Sequence, residues 1–235
     1  MNTNDRGFTL VELMIAMTVG LVVLGAVYAL FTVQSKHLAN QEQLAELHQN
    51  ARVAMDMMVR EISMAGYNQR NAATIAAATP EVPRCTNALV TAGTSCVGIT
   101  YAGGDTIKFT ADRDGSGSIT PDDPTTGDND NENVAYDINL SMSIMSLRRN
   151  SKYTKSGSSY QPVVEYVHSL LFEYYDGATP PATTAILANI RMVKITIVTR
   201  AANVDPNYTD PTYGDHYRRY TLSAFAFPRN LALSP

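Results

Sequence analysis

The sequence predicts an α+β protein: one long N-terminal α-helix, apolar in its first half, packed on an antiparallel β-sheet head. Three observations carry that expectation. A run from Leu13 to Val33 contains no charged residue and is mostly apolar. An amphipathic repeat continues from Leu44 to Ala65. Beyond Gly66 the chain breaks into short alternating runs divided by Gly, Pro, Asp and Asn.

The apolar run matches the roughly 20 residues a helix needs to cross the hydrocarbon core of a bilayer. A cleaved secretory signal has a shorter apolar stretch ending in small residues. Here no Ala-x-Ala site closes the run, so the segment is expected to be retained. Arg6 on its short N-terminal side places that terminus in the cytoplasm and the polar bulk across the membrane.

The helix is expected to continue well past the membrane. Leu44, Leu47, Ala51, Ala54, Met58, Ile62 and Ala65 recur at steps of three and four, which builds one apolar face. Lys36, Gln41, Glu42, Glu46, Arg52, Asp56 and Arg60 occupy the other. Gly66 is the expected stop. A helix over 8–66 would be roughly 85–90 Å long at about 1.5 Å per residue. Its first half needs lipid or other subunits to bury it, and its second half can dock on its own head.

In the head, residues 67–98 are rich in Ala, Thr and Pro and read as an irregular connection. Strand patterns follow at Thr106–Thr110, Asn133–Asn139, Val163–Tyr175, Ile190–Arg200 and Arg218–Phe227. In the fourth, Val193, Ile195 and Ile197 alternate with Met192, Lys194 and Thr196, so one face points inward. No crossover helices separate the runs, which favours antiparallel pairing. The expected division is therefore 1–7, a short leader; 8–66, the helix, with its transmembrane segment over about 8–33; and 67–235, the head.

Gly7-Phe8-Thr9-Leu10-Val11-Glu12-Leu13 resembles the processing motif of type IV pilins and type II secretion pseudopilins. That resemblance implies cleavage between Gly7 and Phe8 by prepilin peptidase, methylation of the new Phe8 amine, and an assembly role for Glu12. A carboxylate at the bilayer centre costs about 2.5–3.5 kcal/mol or more, so an intramembrane acid is expected to have a partner. The amino terminus of a neighbouring subunit, shifted along a filament axis, would provide one. The alternative is a plain anchor with Glu12 reaching toward water. Many major pilins interrupt the apolar segment with proline; this chain has none between Phe8 and Val33, leaving Gly20 and Gly25 as its weak points.

The head resembles PilW-type minor pilins and the related larger minor pseudopilin of type II secretion in Asp105–Phe109, the acidic loop from Asp112 to Asp123, Glu132–Tyr136, Leu171–Gly177, Asn189–Ile195 and Pro228-Arg229-Asn230. The resemblance implies the pilin fold and a low-abundance subunit that primes or caps a type IV pilus. Its partners would be major and minor pilin subunits, prepilin peptidase, the inner-membrane assembly platform and, before assembly, lipid. It would sit as a single-pass protein of the bacterial inner membrane with a periplasmic head, then on the pilus or cell surface. A minor pseudopilin of a type II secretion system shares all of these features, and a membrane-tethered enzyme is the alternative from another class.

Two constellations in the head carry further expectations. Asp112, Asp114, Ser116, Ser118, Thr120 and Asp123, with Gly117 at the turn, follow the spacing of a calcium loop. The shorter Asp at the last position, Pro121 and the preceding strand depart from the helix-flanked form, and a solvated Asp/Gly/Ser turn is the alternative. Cys85 and Cys96 are the only cysteines; in an exported head an even pair is expected to form a disulfide.

A net charge of −4 and the lack of any Lys/Arg run give no surface for nucleic acid. His37, His48, His168 and His216 lack a catalytic partner pattern. No GxSxG, HExxH or phosphate-binding glycine loop occurs, so no enzymatic activity is expected.

Overall fold

The computed structural model describes residues 9–67, 85, 96–113, 132–140, 144–153 and 157–232. They fall into two compact units, Met1–Ala45 and Glu46–Pro235. Helix α1, Leu10–Ser63, contributes its first part to one unit and its last turns to the other.

In the first unit α1 passes through Gly20 and Gly25 without a break, and nothing lies within 4 Å of where either Cβ would be. Leu, Met and Ala, all good helix formers, recur along the segment. Its few hydroxyls bond back to the preceding turn: Thr18 to the Ile15 carbonyl at 2.8 Å, Thr32 to Ala29 at 2.8 Å and Ser35 to Phe31 at 2.9 Å. No polar side chain of these three is left to burden an apolar environment. The large side chains from Leu10 to Val33 are exposed within the chain; Leu21 is 68% and Val22 73% accessible. By length and composition this helix can cross a membrane.

In the second unit Leu47, Ala51, Ala54, Met58 and Ile62 of α1 are buried, as the repeat predicts, and Met55 joins them. Leu44 is only half-buried. Ser63 ends the helix, and the chain turns through Gly66 at φ +77°, where glycine is favoured.

Strands β1 (Gly98–Ala102), β2 (Ile107–Thr110), β3 (Asn133–Asn139), β4 (Ser146–Asn150) and β5 (Gln161–Glu165) form a five-stranded antiparallel sheet in sequence order. Strands β6 (Val167–Tyr175), β7 (Met192–Arg200) and β8 (Arg219–Ala226) form a second, three-stranded antiparallel sheet. A 3-10 turn at Leu187–Asn189 precedes β7, and a short helix α2, Arg229–Ala232, follows β8. Both sheets and the last turns of α1 share one core. Met58 and Ile62 belong to it together with Phe109, Val134 and Leu147 of the first sheet and Phe172, Val193 and Ile195 of the second.

The α+β class therefore holds, but the single sheet becomes two. The run Val163–Tyr175 is divided at Tyr166, whose φ of 58° breaks the extended chain. Its carbonyl accepts from the Arg200 amide at 2.7 Å, which ties that break to the end of β7. β1 begins where an irregular connection was expected, and β4 was not predicted. Ser146-Leu147-Arg148-Arg149-Asn150 has one apolar residue, and its arginines find carboxylates on other elements, Asp137 of β3 and Glu61 of α1.

Candidate functional site

At the start of α1, Thr9 and Glu12 bind each other reciprocally. The Glu12 amide donates to the Thr9 hydroxyl at 3.3 Å, and the Thr9 amide donates to the Glu12 carboxylate at 3.3 Å. This is a capping box, which satisfies two amides that a helix start leaves without partners. The T-x-x-E signature stands in the sequence, beside the two readings of Glu12 as a partner for another chain or as part of a plain anchor. Negative charge is also favourable at a helix N-terminus. Gly7 and Phe8 lie outside the described residues.

Asp112 is buried, and its amide donates to the Tyr67 carbonyl at 2.8 Å. Glu132, also buried, accepts from the Arg113 amide at 2.7 Å through its carboxylate. Asp114, Ser116, Ser118, Thr120 and Asp123 lie outside the described residues. Among the described residues no three His, Cys, Asp or Glu side chains gather as a metal site.

Cys85 and Cys96 are joined by a disulfide, and both are buried. The Cys85 amide donates to the Val97 carbonyl at 2.9 Å, so residue 85 is held beside the start of β1. Leu231 of α2 lies close by, against Gly66 and Gly98.

Two charged groups were not anticipated. Arg149 on β4 forms a fork with Glu61 of α1, Nε to Oε2 and Nη2 to Oε1, both at 2.9 Å. The Tyr136 hydroxyl of β3 donates to the same carboxylate at 2.6 Å. Burial, then the charge of Glu61, pushes the Tyr136 phenol well up, so it stays protonated and donating. These residues tie the last turns of the helix to the centre of the five-stranded sheet. Spacing gives no hint of the pair, because the partners lie far apart in sequence.

The second group fills the β7–β8 connection. Arg219 pairs with Asp210 at 3.0 Å and Asp215 at 2.6 Å, and Arg218 pairs with Asp205 at 2.9 Å. Each guanidinium also lies over a ring, Arg219 over Tyr213 and Arg218 over Tyr208. These acids read as scattered surface groups in sequence, yet each also accepts a nearby backbone amide: Asn207 to Asp205, Thr212 to Asp210 and Tyr217 to Asp215.

Residues 2–28 match the prokaryotic N-terminal methylation motif. Residues 40–212, more than half of the chain, match prepilin peptidase-dependent protein B. No curated protein matches. Among solved structures, a type IV-like pilin from Thermus thermophilus is similar with a TM-score of 0.42 at 11% identity, over 79% of this chain and 98% of that one.

Proposed function

The chain belongs to the prepilin peptidase-dependent protein B family, and on that premise we propose that it is a minor pilin of a type IV pilus. It is a type IV pilin-like protein of a structural, non-enzymatic kind, anchored by its apolar N-terminal helix. The finer reading is that prepilin peptidase cuts between Gly7 and Phe8 and the Phe8 amine is methylated. The protein then waits in the inner membrane with its head in the periplasm. The assembly platform moves it into a filament, where it primes or caps assembly in the manner of PilW-type subunits.

The observation that supports this best is the joint presence of the methylation motif over residues 2–28 and a helix whose large apolar side chains from Leu10 to Val33 are exposed among the described residues. Such a surface is stable only against lipid or neighbouring subunits. The expected result is a mature chain, extracted from membranes, whose intact mass begins at methylated Phe8. A chain still starting at Met1 in cells with active peptidase would refute the reading.

Glu12→Ala is expected to leave insertion intact while filament incorporation falls at least tenfold. A lost inter-subunit pairing of only about 1.4 kcal/mol suffices for that. Because Glu12 also caps its own helix, Glu12→Gln is the sharper variant: it retains a capping partner and removes the charge. Incorporation of Glu12→Gln at the wild-type level would leave only the anchor and cap. A pseudopilin of a type II secretion system is the second reading, supported by the same motif. Recovery of the protein in sheared surface filaments favours the pilus, and a periplasm-restricted protein needed for enzyme secretion favours the pseudopilin.

A further inference from the structure

We propose that His168 is an acid-sensitive latch: its neutral ring holds the β7–β8 connection, Ala201–Arg218, closed over the end of the second sheet, and its protonation releases that connection. The placement begins with the backbone. Val167 pairs with Thr199 and Ser169 with Val198, so His168 is the extra residue of a β-bulge in β6. A bulge re-aims the side chain it carries. Here the ring meets Tyr213 of the connection edge to face, with centroids 4.6 Å apart and planes at 80°. The Arg219 guanidinium of β8 lies over the same Tyr213 ring, 4.2 Å from its centroid. Arg200 of β7, paired in register with Arg219, lies over Tyr217 at 4.3 Å.

The neutral ring suits this place and the charged ring does not. His168 Nδ1 is buried and has no hydrogen-bond partner. As a bare ring nitrogen it costs little; once protonated it is a buried donor without an acceptor. The new charge also stands near Arg219 and Arg200, and Asp215 and Asp210 offset them only in part. Tyr213 gives little help, because Arg219 already occupies its ring. Burial first, then the two arginines, lower the His168 pKa below the ordinary histidine value. A lowered histidine pKa means that the folded state prefers the neutral form. Its contribution is complete above about pH 6.5 and is lost as pH falls through the lower folded value.

The other ties of the connection respond elsewhere. Asp205, Asp210 and Asp215 have lowered pKa values; hydrogen bonds from Arg218 and Arg219 and from nearby amides outweigh the opposing effect of burial. Their contributions persist above about pH 4 and fade only below it. His216, the second histidine of the connection, places Nδ1 against the Tyr208 carbonyl. That nitrogen can donate to a carbonyl in either charge state, so its bond survives protonation. Release therefore begins at His168 and Tyr213 while the aspartate ties remain ionised.

The test is hydrogen exchange of the full chain in detergent, corrected for intrinsic rates, at the amides of Asp210 and Gly214, which donate to the Asp215 and Asp210 carbonyls and not to a carboxylate. Protection is expected to fall between pH 7.5 and pH 5, the direction that a lowered histidine pKa carries. His168→Gln should remove this dependence and His216→Gln should retain it. Unchanged wild-type protection, or the same fall in His168→Gln, would overturn the proposal. Should His168→Gln fold poorly, NMR titration of His168 in Tyr213→Leu supplies an independent result. Loss of the covering ring lessens burial and should move the His168 pKa upward, while Arg219 and Arg200 still hold it below the ordinary value; an unaltered titration would refute the latch.

Discussion

Arg149→Met is expected to destabilise the folded head by about 3–5 kcal/mol, toward the lower end because both partners keep 14% of their side chains exposed. The cost is not the loss of a favourable ion pair, since burying two charges roughly offsets their attraction. It arises because Glu61 is left as a largely buried carboxylate without the guanidinium that offsets its charge, the Tyr136 hydroxyl still donating to it. A fork of two charge-assisted bonds also fixes orientation as no apolar contact can.

Replacing both partners discriminates between these accounts. Glu61→Leu combined with Arg149→Met removes both charges and refills their volume, and should recover most of the loss. Some cost remains because the Tyr136 hydroxyl is then without its acceptor, which a further Tyr136→Phe change would relieve. Urea unfolding of the full chain in detergent, followed through the head's tyrosines, measures all three. A double variant as unstable as Arg149→Met alone would show that the charges are not what the helix and sheet depend on here.

This support also marks where sequence reading stops. The buried face of α1 is legible because local spacing puts Ala51, Ala54, Met58 and Ile62 on one side, whatever they later touch. β7 is legible for the same reason: Val193, Ile195 and Ile197 alternate with polar neighbours. β4 is not, because two arginines in five residues look like surface until Asp137 and Glu61 arrive from other elements. The break at Tyr166 is equally hidden, since nothing in Glu165-Tyr166-Val167 announces a positive φ at a tyrosine. Of the site, the Gly7–Leu13 motif was legible as a contiguous string, and the methylation match covers it. His168 was not, because its environment is assembled by a bulge and by a connection thirty and more positions away.

Gly66→Ala is expected to cost about 2–4 kcal/mol, from two separable sources. The first is backbone: φ of +77° disfavours any residue with a Cβ by about 1–2 kcal/mol. The turn cannot readily relax away from that angle, because the Gly66 amide donates to the Thr110 carbonyl at 3.0 Å and fixes the helix end to β2. The second is contact: an added Cβ collides with the Leu231 δ-carbon of α2 and lies 3.2 Å from its Cγ. Leu231 has little room to retreat, since it is buried and its δ-carbon is also 3.3 Å from the position a Gly98 Cβ would take.

A double-mutant cycle separates the two. Leu231→Ala alone should cost about 2–3 kcal/mol as a buried leucine truncated on a single-turn helix. In that background Gly66→Ala meets no side chain and should retain only its backbone cost, so the pair comes out cheaper than the sum by about 1–2 kcal/mol. Strict additivity in unfolding measurements would mean that α2 simply moves aside. Leu231 would then be a passive cover, and the fit of leucine against glycine would play no part in closing the end of the helix over the Cys85–Cys96 link.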